Sequence, residues 1–232
     1  MKRLLGTLLL TSALPLAACT DEAPDPVADA ASPVAEPTGT TASAGVEDVP
    51  PGWDERPDGA SPTPDAALDD AALTALLRTR SSVRAGERHC RPGQVRIALE
   101  SFDAAAGHRY SRLVVRNRSQ RTCVVEGVPG VGARGAWGRT FVPEVRAGDG
   151  IQGGVRPSVV ELAPGGQAAA DLEWTGELAG AESEKASLLV VQLAGGQVPV
   201  PVPAEVVGQP GPLDIGMFTT LDVSPFQPGV TP

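Results

Sequence analysis

The feature that most constrains the fold is an alternation of apolar and polar residues that begins after residue 90. Residues 95–100 read Val-Arg-Ile-Ala-Leu-Glu. Because a period of two places successive side chains on opposite faces of a strand, this segment predicts a strand with one buried face. Similar short segments, separated by turns rich in glycine or proline, lie at residues 110–117, 122–126, 159–162, 168–174, 188–193 and 213–221. Many short strands with turns between them predict an all-β chain folded as an antiparallel β-sandwich.

The first three predicted strands would form a meander if each paired with the next. Asp103–Gly107 and Asn117–Arg121 would then be its two turns. In such a meander, Cys90 and Cys123 fall at the same end of the domain. The later run Val198–Pro203 has proline at every second position, so it cannot donate a regular ladder of hydrogen bonds. If it is a strand, we expect it at the edge of a sheet.

Composition limits the kind of core and the kind of ligand. Apolar residues make up 41% of the chain and aromatic residues only 3%, so the core must be mainly aliphatic and a carbohydrate platform of stacked aromatics is not expected. Residues 20–70 hold 13 acidic side chains against one arginine, whereas residues 71–232 hold 15 acidic and 16 basic side chains. The acidic character therefore belongs to the N-terminal part and not to the predicted domain.

The N-terminus predicts export and lipidation. Lys2 and Arg3 precede a short apolar run, and residues 1–18 as a whole are typical of a signal peptide. Leu16–Cys19 resembles the lipobox of bacterial lipoproteins, in which the cysteine receives a diacylglycerol. Two acyl chains give stable anchoring. We therefore predict a lipid anchor, palmitate included, at Cys19 and a location on the extracytoplasmic face of the cell membrane; an ordinary signal peptide with an incidental cysteine is the alternative.

Three further segments follow the predicted anchor. Residues 19–64 are rich in Pro, Ala and acidic side chains without apolar periodicity, so they predict a disordered acidic tether. Residues 65–88 predict one short helix and a connector, with Asp65 near the helix start and leucines at positions 68, 73, 76 and 77. This helix is expected to pack on the base of the domain. Residues 89–232 are the predicted β-sandwich domain.

Two cysteines remain once Cys19 is assigned to the lipid. In an oxidising envelope such a pair usually forms a disulfide, and two separate buried thiols are the alternative for Cys90 and Cys123.

Several segments of the domain together resemble the family called domain of unknown function 4232, which is found largely in actinobacterial lipoproteins and secreted proteins. They are Asn117–Cys123, Glu126–Gly130, Leu162–Ala168 with its continuation to Trp174, and Asp222–Phe226. The resemblance runs from about Cys90 to Phe226. It implies an immunoglobulin-like β-sandwich and a disulfide from Cys90 to Cys123, and it implies no activity. Many members carry a second cysteine pair in the later half, and this chain has none there.

Motifs that carry chemistry have simpler structural interpretations in this chain. Gly130–Gly135 spells GxGxxG, but Pro129 precedes it and Trp137 follows, so a loop between strands is predicted in place of a dinucleotide site. His89 and His108 lie in no catalytic or metal-binding pattern. Asp171 and Glu173 alternate with apolar residues, which is typical of the solvated face of a strand. We predict no catalytic residues, no metal site and no cofactor.

The candidate binding surface is basic. Residues 88–121 carry eight arginines against two acidic side chains. On the predicted strands Arg112 and Arg116 share a face, and Arg96 would lie near them. We therefore predict a non-enzymatic binding or scaffolding module, monomeric, whose partner is an envelope protein or an anionic cell-wall polymer and not nucleic acid. The alternatives are a secreted hydrolase with an unrecognised site and a solute-binding or signalling lipoprotein.

Overall fold

The computed structural model describes residues 63–138, 144–148, 153–176, 184–209, 211–216 and 219–229. The predicted signal peptide, Cys19 and the predicted tether up to residue 62 lie outside the described residues. All described residues belong to one compact unit. The strands are β1 (Val95–Ala105), β2 (His108–Asn117), β3 (Cys123–Glu126), β4 (Gly130–Gly135), β5 (Glu144–Ala147), β6 (Val159–Leu162), β7 (Gln167–Thr175), β8 (Ala186–Gln192), β9 (Val200–Pro203), β10 (Thr220–Val223) and β11 (Gln227–Pro228), and helix α1 spans Asp70–Ala75.

The largest sheet has six strands in the order β1-β2-β7-β10-β5, with β11 paired to β7. All of its pairs are antiparallel except β10 with β5. The alternation in β1 buries Ile97 and Leu99 and leaves Arg96 exposed, as its period of two predicts. The chain is mostly β with several antiparallel sheets, which confirms the all-β prediction.

A second layer closes the core. It contains the sheet β4-β8-β9 and the two-stranded sheet β3-β6. Within β8, Leu189 and Val191 face the main core, whereas Leu188 and Val190 pack on the opposite side with Leu73 of α1. Helix α1 therefore covers the outer face of this sheet, and the prediction of a short helix packed on the domain is confirmed. The side chain of Asp69 caps the helix by accepting a hydrogen bond from the Ala72 N–H at 2.8 Å.

The predicted meander is correct in its first pairing and wrong in its second. Strand β1 pairs with β2 in antiparallel orientation, but β2 pairs on its other side with β7, and β3 pairs with β6 in a different sheet. The period of two determines which segments are extended, but packing between distant segments determines the partner of each strand. Cys90 and Cys123 still meet, because the segment before β1 runs beside β3 and the Cys90 N–H donates to the Val124 carbonyl at 2.9 Å.

The predicted loop at Gly130–Gly135 is also wrong, since these residues form the buried strand β4. The glycines allow other segments to lie directly on the strand. A Cβ atom at Gly132 would stand 1.9 Å from the Leu76 carbonyl oxygen, and one at Gly130 would stand 2.6 Å from the Ser81 amide nitrogen. Glycine in a strand can mark such a close approach of another backbone, so this run is a packing surface for the connector after α1.

Two further predictions concern the proline run Val198–Pro203 and the strand at residues 213–221. Strand β9 lies at the edge of its sheet, as predicted for the proline run. The predicted strand 213–221 is largely wrong, because the ladder begins only at Thr220. Leu213 and Ile215 are buried, but the Leu213 N–H bonds to Ala204 and the Ile215 carbonyl accepts from Ala186, so this segment bridges other elements without forming a ladder.

Candidate functional site

Six exposed arginines lie at or near the end of the large sheet where β1 begins and β2 ends. We call this surface the basic end, and it consists of Arg88, Arg91, Arg96, Arg116, Arg118 and Arg121. None of the six makes an ion pair with any residue that the structure describes. This surface is the strongest candidate for a binding site.

The disulfide is one of the links that assemble the basic end. Cys90 and Cys123 are bonded, with their Cα atoms 4.9 Å apart, so the pairing prediction is confirmed. The Val124 N–H donates to the Arg88 carbonyl at 2.9 Å. Residues before β1 are thereby held against β3, and the two termini of the arginine-rich segment are brought together although 33 positions separate the cysteines.

Asn117 is the second link. Its side chain is fully buried, and its Nδ2 donates to the carbonyls of Arg121 at 2.8 Å and Leu162 at 2.9 Å. Its Oδ1 accepts from the N–H of Ser119 at 2.9 Å. These bonds hold the tight turn that follows β2, so the turn presents Arg118 and Arg121 beside the strand end. Asn117 thus positions the turn that carries Arg118 and Arg121.

Arg96 and Arg116 are direct cross-strand partners in the β1–β2 ladder. Facing side chains of an antiparallel pair have Cβ atoms about 5 Å apart, and like charges placed there are destabilising. Arg116 donates one hydrogen bond to the neutral Gln167 side chain at 2.8 Å, which leaves its charge uncompensated. The fold therefore retains an unfavourable pair of positive charges at this position.

Arg112 does not belong to the basic end, although the sequence grouped it with Arg96 and Arg116. It lies four residues before Arg116, about 13 Å along an extended strand. It forms an ion pair with Asp171 at 3.4 Å and faces Glu100 in the ladder. Because β2 was not known to pair with β7, the sequence could not place Asp171 beside Arg112.

Sequence reasoning also did not single out Arg88, Arg91, Arg118 and Arg121. The excess of arginine over acidic residues between positions 88 and 121 was the available signal. An alternation with a period of two, however, assigns side chains to a face only within strands. These four residues lie in the connections on either side of β1 and β2, whose positions depend on the disulfide and on Asn117.

His108 and Glu173 form a histidine–carboxylate contact on an exposed surface. The two side chains are 2.8 Å apart and the His108 side chain is 46% exposed on the outer face of the sheet, and His108 lines neither the cavity beside Leu73 and Pro201 nor the cavity beside Ile97 and Val206. Glu173 is partly exposed there, whereas Asp171 is buried beside Arg112. Within the described ranges no group of three His, Cys, Asp or Glu side chains could hold a metal ion, and no helix is long and apolar enough to cross a membrane.

The basic end has the chemistry of an anion-binding surface. A guanidinium group is always charged and offers donors in a fork that matches phosphate and carboxylate oxygens. Several such groups at one sheet end give a local positive potential, although the domain as a whole is almost neutral. The six arginines of the basic end are all exposed, so the surface fits a polymer better than an enclosed small molecule.

Comparison with family models gives one match, to a domain of unknown function (DUF4232), over residues 90–227. The match begins at the first disulfide cysteine and ends at the start of β11, so it includes the large sheet and most of the basic end. Comparison with curated proteins and with solved structures gave no match.

Proposed function

The chain belongs to the DUF4232 family, whose function is unknown, and from that premise we propose that it is a non-enzymatic binding module that holds an anionic polymer of the cell envelope at its basic end. The polymer would carry phosphate or carboxylate groups at intervals along an extended backbone. Such a ligand matches a row of guanidinium groups on an open surface better than a single small anion does.

The observation that carries this proposal is the direct opposition of Arg96 and Arg116, neither of which forms an ion pair with a described residue. Further along the same face, Arg112 forms an ion pair with Asp171, so the positive charge at that position is compensated. A bound phosphate or carboxylate between Arg96 and Arg116 would convert their repulsion into two charge-assisted hydrogen bonds.

The anchor is the second part of the proposal. We place the module on the extracytoplasmic face of the cell membrane, held by lipid at Cys19 and spaced from the bilayer by the acidic segment that follows. The support comes from the signal-peptide pattern and the lipobox-like residues Leu16–Cys19. A module anchored at the membrane and able to bind an envelope polymer would link the two layers.

A triple variant tests the basic end. Replacing Arg96, Arg116 and Arg118 with glutamine should raise the dissociation constant for poly(glycerol phosphate) about tenfold, because each exposed charge contact contributes a fraction of a kcal/mol. The full chain is purified in detergent, and binding is measured by fluorescence anisotropy of the labelled polymer at low and high salt. Salt should weaken wild-type binding, since exposed charges are screened within about 8 Å at 0.15 M ionic strength.

The matched control removes the same charge elsewhere. Arg80, Arg84 and Arg156 are exposed and outside the basic end, and none makes an ion pair with a described residue. Their triple replacement by glutamine should leave most of the affinity in place. If both triple variants weaken binding equally, only net charge matters and the basic end is not the site.

Replacing Cys19 with alanine tests the anchor. Without the thiol no diacylglycerol can be attached, so the variant should be found as the uncleaved precursor or as released protein. Membrane fractionation combined with intact mass distinguishes these forms, and globomycin should block processing of the wild type. A cleaved Cys19→Ala protein that still fractionates with membranes would show that the anchor lies elsewhere.

A further inference from the structure

A second surface site lies between helix α1 and the proline-rich edge strand β9. It is a trough with a volume of about 830 Å³, which is within the range of small-molecule sites. Leu73, Val200 and Pro201 contribute apolar surface, and Asp70, Glu87 and Gln197 contribute polar groups. The trough is distinct from the basic end except at Arg91, which belongs to both.

Gln197 lines the trough and carries an acceptor that has no hydrogen-bond partner among the described residues. Its Nε2 donates to the Cys90 carbonyl at 3.1 Å, while its Oε1 is buried. If the amide were turned around, two acceptors, Oε1 and the Cys90 carbonyl, would face each other. Nε2 therefore faces Cys90, and Oε1 is the atom that lacks a partner. A buried acceptor without a partner costs free energy, and a ligand that donates a hydrogen bond would recover it.

Strand β9 adds acceptors and no donors. Val190 and Val191 of β8 face Pro201 and Val200. In an antiparallel ladder the N–H and the carbonyl of one residue point to the same side, and the side alternates from one residue to the next. Pro201 has no N–H to donate to β8, so it takes a position at which the carbonyl points away from β8. The outer edge of β9 at Pro201 therefore offers a carbonyl oxygen and cannot donate. A ligand that lies along this edge must itself supply the hydrogen atoms.

The charges of the trough also favour a ligand that donates hydrogen bonds. Asp70 and Glu87 are exposed, and neither makes an ion pair with a described residue. Arg91 is the only basic side chain in the lining. The two carboxylates exceed this single positive charge, so a cationic ligand is favoured over an anionic one.

We infer that the trough binds a primary ammonium or guanidinium group carried on a short aliphatic chain. The cationic head would donate to the Gln197 Oε1 and lie near Asp70 and Glu87, and the aliphatic part would cover Leu73 and Pro201. This site has the opposite charge preference to the basic end, and it does not depend on the function proposed for that surface.

The test uses 1,5-diaminopentane as the probe, with 1-pentanol and pentanoate as neutral and anionic analogues of the same chain length. Binding to the isotope-labelled full chain in detergent is followed by the amide signals of Gly86 and Val198 and the side-chain amide of Gln197. We expect the diamine to shift these signals in a saturable manner and the two analogues to shift them weakly or not at all. Equal shifts with 1-pentanol or pentanoate would overturn the inference.

Paired variants separate the site from general charge effects. Asp70→Asn with Glu87→Gln should raise the dissociation constant for the diamine about fivefold, as the loss of two exposed charge contacts implies. Glu161→Gln with Glu205→Gln removes the same charge from exposed positions outside the trough and should change it little. Arg91→Gln should tighten diamine binding because it removes a like charge. The inference fails if the Glu161 and Glu205 pair weakens binding as much as the trough pair, or if Arg91→Gln weakens it.

Discussion

Replacement of Asn117 with leucine is expected to lower the free energy of unfolding by about 3 kcal/mol, because it removes the hydrogen bonds of a fully buried polar side chain. The Leu162 carbonyl would lose the bond from Nδ2, the N–H of Ser119 would lose its acceptor, and the Arg121 carbonyl would keep only the bond from the Ser119 hydroxyl. Leucine has the same branched arrangement of side-chain heavy atoms, although it is larger, and it cannot form hydrogen bonds. Urea unfolding followed by circular dichroism measures the difference.

Two companion variants identify the cause of that loss. Asn117→Asp keeps the acceptor for Ser119 but places a second acceptor where Nδ2 donated, so it should destabilise at least as much as leucine at neutral pH. Gln120→Leu makes a similar polar-to-apolar change at an exposed position of the same turn and should cost little. If Gln120→Leu and Asn117→Leu have the same effect, the hydrogen bonds of Asn117 are not what stabilises the turn.

Loss of the disulfide should have an effect of similar size. Closing a loop of the 33-residue separation between Cys90 and Cys123 reduces the entropy of the unfolded chain. The chain-entropy argument gives about 3–4 kcal/mol for a loop of that size. We therefore expect reductant to move the urea midpoint strongly to lower concentration, and basic-end affinity should fall as well because Arg88 and Arg91 lose their attachment to β3.

If the cross-link itself is the source of the stability, the reduced wild type and the double variant Cys90→Ala, Cys123→Ala should have closely similar urea midpoints. The reduced protein keeps both buried side chains, whereas the double variant also removes two sulfur atoms from the core, so any additional loss in the variant measures packing. Alkylation and intact mass confirm that the thiols are free. An unchanged urea midpoint after complete reduction would contradict this prediction.

Local pattern was sufficient for the positions of most strands. The alternation in β1 and β2 identified each strand and its buried face, since side-chain direction along a strand depends only on position. In β7 the strand was located, but the solvated face predicted for Asp171 is wrong, because Asp171 is buried beside Arg112 of β2. The proline run of β9 was correctly limited to an edge. The glycine-rich β4 was missed because its glycines carry no side-chain alternation, and the reason for those glycines is the backbone of residues 76–81 packed against them.

The candidate site was predicted only in part, because a sequence shows which residues are charged but not which of them form ion pairs. Arg96 and Arg116 lie opposite each other as expected, yet Arg112 is paired with Asp171 across a strand contact that no local pattern indicates. The trough could not be foreseen at all. It depends on α1, the segment around Glu87 and β9 meeting in space, and β9 is more than 100 residues from the other two in the chain.

The amino-acid sequence by itself determined which segments are extended, which faces they bury, where glycine and proline are required, and which two cysteines were available to pair. Those properties follow from each residue and its near neighbours. The tertiary structure decided which strands pair, which arginines have an acidic partner and which acceptors are left without a donor. Such properties depend on distant segments brought together by burial of the common core, and a period of two contains no information about which segments those are.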